Sequence, residues 1–306
     1  YENSFEHAVL HRFRRWGWAV AHIETDIRVR APNAPAILDR ELERSRRLSR
    51  EAPRTPPAWR ERRRAGGPGP TPEERRANED LRRQARERIA TELPDPPTGF
   101  EINPDDGPEE LAALAARIAD AADTRLAEHA YAAEALVAAI DQLHPDLAAR
   151  PVVVIGFSAG ALAAPAVAAR LHEAFPERPL RIILVGGGGD LLTLARTSTL
   201  TNGGITLRPA DGPDPTPEQI EILQAAYESR VRLDPVKAVA ALRDVPLLHV
   251  YASRDTIVPT TGALRVNESH ANPARIVHRG DHDTLFFFLG SQAGRIRTWL
   301  RSTGVE

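Results

Sequence analysis

The sequence predicts an α/β protein built on a mostly parallel sheet with helices on both faces. Two observations carry that prediction. Beyond residue 150, short β-rich apolar runs (VVVIG, 152–156; LRIILVG, 180–186; VPLLHVYA, 245–252; ARIVH, 274–278) alternate with helical segments. Continuous apolar strands separated by helix-length crossovers are what a sheet covered on both faces requires. The composition agrees: 306 residues, 42% hydrophobic and 27% charged, suit a folded chain with a large core.

The elements follow in order. Residues 6–17 have helical spacing and stop at Gly17, and WAVAHI (18–23) reads as a short buried strand. From Arg28 to Glu92 the chain holds 18 Arg against 11 acidic residues, with prolines clustered at 53–72. Acid and Arg recur there at i,i+4 spacing over 36–50 and 71–93, which predicts two solvent-facing helices joined by the mobile stretch RRRAGGPGPTP. Residues 30–108 are therefore expected to be an Arg-rich helical insertion, a lid or cap, in a core of residues 1–29 and 109–306. Pro108 with Glu109 and Glu110 starts a long Ala-rich helix, or two abutting ones, that ends before Pro145. Past the first strand come a helix at 161–175, another near 189–196, one from Pro217 to Ser229, one after Pro259 and a last one over 284–300.

Composition excludes several chemistries. With no cysteine there is no disulfide, thiolate metal site or cysteine nucleophile. No apolar run reaches the roughly 18 residues a membrane-spanning helix needs. The histidines are scattered, and His7 with His11 lacks the acidic base of a HExxH pattern, so no metal and no cofactor is expected. Arg supplies 39 of the 40 basic residues, acids are interleaved, and over residues 28–92 only Trp59 could stack a base. A solvated helical face is expected there, and no nucleic-acid partner.

The informative stretch is GFSAG (156–160), set between a strand and a helix. A serine at such a tip needs a strained backbone, and Gly156 and Gly160 leave room for it. The helix that begins at Ala159 aims free N–H groups at the place where an oxyanion would form. A serine hydroxyl also needs a base and an orienting acid. Asp255, in SRDTIVP, and His282, in GDHD, both follow later strands at the same sheet edge. Asp190, after GGGG, is the alternative acid. His278 and His270 read as strand or surface histidines, and Asp281 and Asp283 as loop or capping residues.

With elbow, acid and histidine in that order, the chain resembles the α/β-hydrolase fold superfamily over most of residues 1–29 and 109–306. The resemblance implies Ser158 as nucleophile, His282 as base, Asp255 as orienting acid and the Ala159 N–H as one oxyanion donor. It implies a serine hydrolase cleaving a small carboxylic ester through an acyl-enzyme; the alternatives are a peptidase or amidase, or a binding protein on the same fold. It also implies three strands before the first helix. The chain opens at that helix, so N-terminal strands are expected to be missing and the second oxyanion donor to come from residues 1–5 or from upstream.

Overall fold

A computed structural model describes residues 11–21, 43, 46–48, 50–52, 56–92, 100–198, 208–209 and 215–305. The chain divides into two compact units, Arg30–Gly99 and Tyr1–Val29 with Phe100–Glu306.

In the smaller unit, α1 (Pro57–Arg64) and α2 (Pro72–Glu92) carry mostly exposed residues. Thr71 and Glu74 exchange hydrogen bonds in a capping box that starts α2, and Glu74 also accepts from Arg62 at 2.8 Å. The Thr71 N–H, and then Arg62, hold the Glu74 carboxyl below its ordinary range. Among the described residues of this unit Ala52, Ala85 and Ile89 are buried and apolar.

In the larger unit, β1 (Glu101–Ile102) precedes α3 (Pro108–Leu143), a single 36-residue helix. Leu111, Leu114, Ala115, Ile118, Ala119, Ala122 and Leu126 recur at helical spacing along its buried side. There follow β2 (Val152–Phe157), α4 (Ala159–Ala174), β3 (Leu180–Val185), α5 (Leu191–Thr197), β4 (Arg208–Pro209), α6 (Pro217–Arg230) and α7 (Pro235–Ala241). The chain closes with β5 (Leu247–Ala252), α8 (Thr260–Ser269), β6 (Ala274–His278) and α9 (His282–Ser302). The main sheet is wholly parallel in the order β2-β3-β5-β6, while β1 and β4 form a separate two-residue pair.

The sheet is covered on both faces. Ile183, Val185, Leu248, Val250 and Ile276 pack against Leu285, Leu289, Ile296 and Leu300 of α9. Alternate residues Leu180, Ile182, Leu184 and Leu247 face α4, α7 and α8 through Ala161, Ala164, Ala168, Val239 and Val266. Behind α4 a third layer joins Leu162, Ala163 and Ala166 to α3 and to Leu223 and Tyr227 of α6.

Two expectations change. Residues 18–21 form no strand, while 22 and 23 lie outside the described residues. Trp18 and Val20 pack instead beside Phe13 on the α9 side of the sheet, burying apolar surface without a ladder. Helix α7 and the β1–β4 pair were not anticipated; α7 is too short for periodicity to mark, although Asp234-Pro235 is a good start signal.

Asp234 ties several elements together. Its carboxylate accepts from the N–H groups of Asp190, Leu191 and Val236 and from the Tyr227 hydroxyl, all within 3.0 Å. Burial pushes its pKa up against the pull of those donors, and burial beside Asp234 pushes the Tyr227 phenol up. Asp234→Ala leaves four donors unpaired, three of them buried, and is expected to cost about 3 kcal/mol. Urea denaturation checks this.

Candidate active site

Parallel strands all end on one edge, and the predicted residues gather there. Ser158 follows β2, the Gly186–Gly189 run follows β3, Asp255 follows β5, and His282 opens α9 behind β6. Paired ladder positions such as Phe157 with Val185 and Ala252 with His278 keep these exits level.

Ser158 has φ 49 and ψ −115, a conformation that non-glycine residues rarely hold. Two bonds fix it: Ser158 N–H donates to the Val185 carbonyl at 2.8 Å, and its own carbonyl accepts from Ala161 at 2.9 Å. A Cβ at Gly156 would fall 2.5 Å from both Ala161 Cα and the Gly160 carbonyl oxygen, so the strand and the helix meet only because Gly156 has no side chain. Ala159 is the first residue of α4, where backbone N–H groups have no acceptor within the helix. Residues 1–5, expected to help supply a second such donor, lie outside the described residues.

His282 Nε2 lies 2.9 Å from Ser158 Oγ, and its Nδ1 lies 2.7 Å from Asp255 Oδ2. A carboxylate only accepts, so Nδ1 carries the proton and Nε2 is left to accept from the serine. The other Asp255 oxygen, Oδ1, accepts from Ile257 and Val258 N–H at 3.0 and 2.8 Å, which fixes the rotamer that points Oδ2 at the ring. The two loops are laced together: Ser253 N–H donates to the His278 carbonyl and Arg254 N–H to that of Gly280. Asp255 and His282 are buried, and the Phe286 ring stands 4.9 Å from the imidazole.

The other candidates sit elsewhere. Asp190 caps α5 by accepting from Thr193 N–H, and its carboxylate also pairs with Gln224 and Arg265. His270 Nε2–H donates to the Val245 carbonyl while its Nδ1 accepts from Asn272 N–H, and His278 bonds Thr284 Oγ1. Asp281 is the N-cap of α9; the Thr284 hydroxyl, and then the Thr284 N–H, donate to its carboxylate and hold it below the usual range. The last helix begins two residues before the expected 284: His282 is its first residue, held by that cap. Among the described residues no group of three or more His, Asp or Glu could hold a metal ion, and no helix is long and apolar enough to cross a membrane.

A strained serine between strand and helix, with acid and histidine at later strand ends, defines an α/β-hydrolase fold. The sequence profile of the family described as Serine hydrolase (FSH1) matches residues 116–284, more than half of the chain and all three of these positions. The chain belongs to that serine hydrolase family. No curated protein sequence matches it. Among solved structures it is similar to an esterase of Pyrococcus furiosus (18% identity, 59% of this chain and 62% of that one, TM-score 0.39). It is also similar to an acylaminoacyl peptidase of Pyrococcus horikoshii (14%, 55% and 25%, 0.37) and to a thermophilic esterase (19%, 58% and 74%, 0.34). The matches span less than two thirds of the length of the first two.

Gly156→Ala forces Ala161 and Gly160 away from β2 and moves Ser158. Overpacking of this kind costs about 1–3 kcal/mol, and a shift of about 1 Å at a reacting group costs about a hundredfold in rate. Thermal melts together with the rate of labelling by a fluorophosphonate check both.

Proposed function

We propose that this hydrolase cleaves carboxylic esters through an acyl-enzyme, with Ser158, His282 and Asp255 as its catalytic triad. The observation that carries the reading is the unbroken hydrogen-bond chain from Ser158 Oγ through His282 to Asp255, at 2.9 and 2.7 Å. Ser158 Oγ attacks the ester carbonyl while its proton passes to His282 Nε2. The carbonyl oxygen takes up the negative charge and is met by the Ala159 N–H at the positive end of α4. As the tetrahedral adduct collapses, the ester C–O bond breaks and His282 returns the proton to the leaving alcohol. Water then gives a proton to Nε2 and its oxygen to the acyl carbon, and collapse releases the carboxylic acid and restores Ser158.

The Asp255 carboxylate holds the Nδ1 proton throughout and offsets the charge of the imidazolium as it forms. Ester is favoured over amide because an alkoxide leaves with less proton assistance than an amine. A panel of p-nitrophenyl acyl esters and aminoacyl amides tests that preference: faster turnover of the amides would overturn it.

Ser158→Ala is expected to abolish fluorophosphonate labelling and to lower ester turnover by about a thousandfold or more. Asp255→Asn is expected to lose on the order of a thousandfold by supporting the wrong tautomer, whereas Asp190→Asn stays within about threefold of the parent. Turnover that survived Ser158→Ala, or a greater loss at Asp190 than at Asp255, would refute the assignment.

A further inference from the structure

His249 is an ionisable group with no part in the reaction as proposed. It is fully buried on β5, and burial pushes its pKa down, so the ring is neutral and has one N–H. Its Nε2 lies 3.1 Å from the Gly187 carbonyl oxygen, which can only accept, so the proton is on Nε2. Nδ1 is then a bare acceptor, and the atom placed 3.0 Å from it is Asn267 Oδ1, which is an acceptor too. The Asn267 Nδ2 is buried without a hydrogen-bond partner, and turning the amide by 180°, which exchanges the two atoms, brings Nδ2 to Nδ1 and pairs both. Donation therefore runs in one direction, from Asn267 to His249 to Gly187.

Gly187 lies in the run that leaves β3, and that run packs closely against the His282 ring, the first turn of α4 and the loop that follows Asp255. A Cβ at Gly186 would fall 3.1 Å from His282 Cε1 and 2.9 Å from the Phe286 ring. One at Gly187 would fall 2.6 Å from Ala161 Cβ, in the first turn of α4 behind Ser158. One at Gly188 would fall 2.9 Å from the side chain of Val258, whose N–H holds Asp255. The glycines permit these approaches, and without side chains they have little to hold the backbone in place. Its ends are tied by Gly186 N–H to the Val250 carbonyl and Gly189 N–H to that of Gly262; His249 ties the middle.

We propose that His249 is a positioning residue for the hydrolytic site: by donating its Nε2 hydrogen to the Gly187 carbonyl it fixes the glycine run against which the His282 ring, the Asp255 loop and the Ser158 helix are seated. This rests on the reading of those three residues as the triad.

Two substitutions separate positioning from mere burial. In His249→Gln the amide nitrogen comes to the place of Nε2 and can still donate to Gly187. In His249→Asn it comes to the place of Nδ1 and cannot reach. On the full chain, checked for folding by circular dichroism, the glutamine variant is expected to be labelled by a fluorophosphonate within about threefold of the parent rate. The asparagine variant is expected to be slower by about ten- to a hundredfold, the range a sub-ångström to 1 Å misplacement produces. It should also shift or lose the downfield proton resonance of the His282 Nδ1–H held by Asp255. Equal labelling of two folded variants, with that resonance unmoved, would overturn the proposal. If the asparagine variant does not fold, Asn267→Ala, which frees Nδ1 and loosens the ring, is expected to slow labelling in the same direction, and a parent-like rate would count against it. A parent chain that fails to label, with Ser158→Ala no different, means the hydrolase reading has failed; the His282 resonance still decides whether His249 positions that ring.

Discussion

The backbone at Ser158 is the constraint on which the rest of the site depends. A serine at φ 49 and ψ −115 stores about 1–3 kcal/mol of strain, and it persists only where its surroundings leave no alternative. Here β2 is held in the ladder with β3 up to Phe157, and α4 begins one residue past the serine. Both are packed from two sides: α4 lies between the sheet and α3, so neither strand nor helix can rotate to relieve the turn. The strain lifts Ser158 Oγ out of the sheet toward the edge where the other strands end.

The same edge explains why a geometry spanning 124 residues of sequence can be tight. The Ser158–His282 bond joins the exit of β2, first in the sheet order, to the start of α9 behind β6, last in that order, and no local feature of either loop sets its length. The parallel register does, together with the lacing of the Asp255 and His282 loops through Ser253 and Arg254. The Asp281–Thr284 cap then fixes where α9 begins, and with it the direction of the His282 side chain. Each of these is an ordinary hydrogen bond worth about 1 kcal/mol net. Their effect on the site comes from acting in series on one imidazole.

What could be read in the sequence was what short-range rules determine. The spacing GFSAG requires small residues at fixed offsets from the turn, and the apolar runs flanked by helical segments mark the strands, so the turn at Ser158 and the parallel strands were legible. Asp255 and His282 followed because parallel strands share one carboxyl edge. The strand expected at 18–23 shows the limit. Apolar residues at that length mark burial, but a strand also needs a neighbour, and among the described residues none pairs with 18–21. The His249–Gly187 bond was out of reach for a related reason: it joins residues 62 apart, and nothing in HVYA or GGGG announces it.

The two rival acids show why residue type alone leaves a site undecided. Asp190 and Asp255 are both buried, and both follow a strand at the same edge. They differ in what else holds them. Asp190 has φ 62, caps α5, and has its carboxylate taken by Gln224 and the Arg265 guanidinium, which already balances its charge. Asp255 divides its oxygens: Oδ1 is bound by two backbone N–H groups, and Oδ2 faces the histidine. Backbone donors fix a carboxylate without adding a mobile cation, so its negative charge stays available to the imidazolium that forms in the proposed reaction. An arginine at the same place would favour the anion equally well and would weaken that attraction. In the proposed triad the orienting acid is therefore distinguished by neutral backbone partners, the N–H groups of Ile257 and Val258.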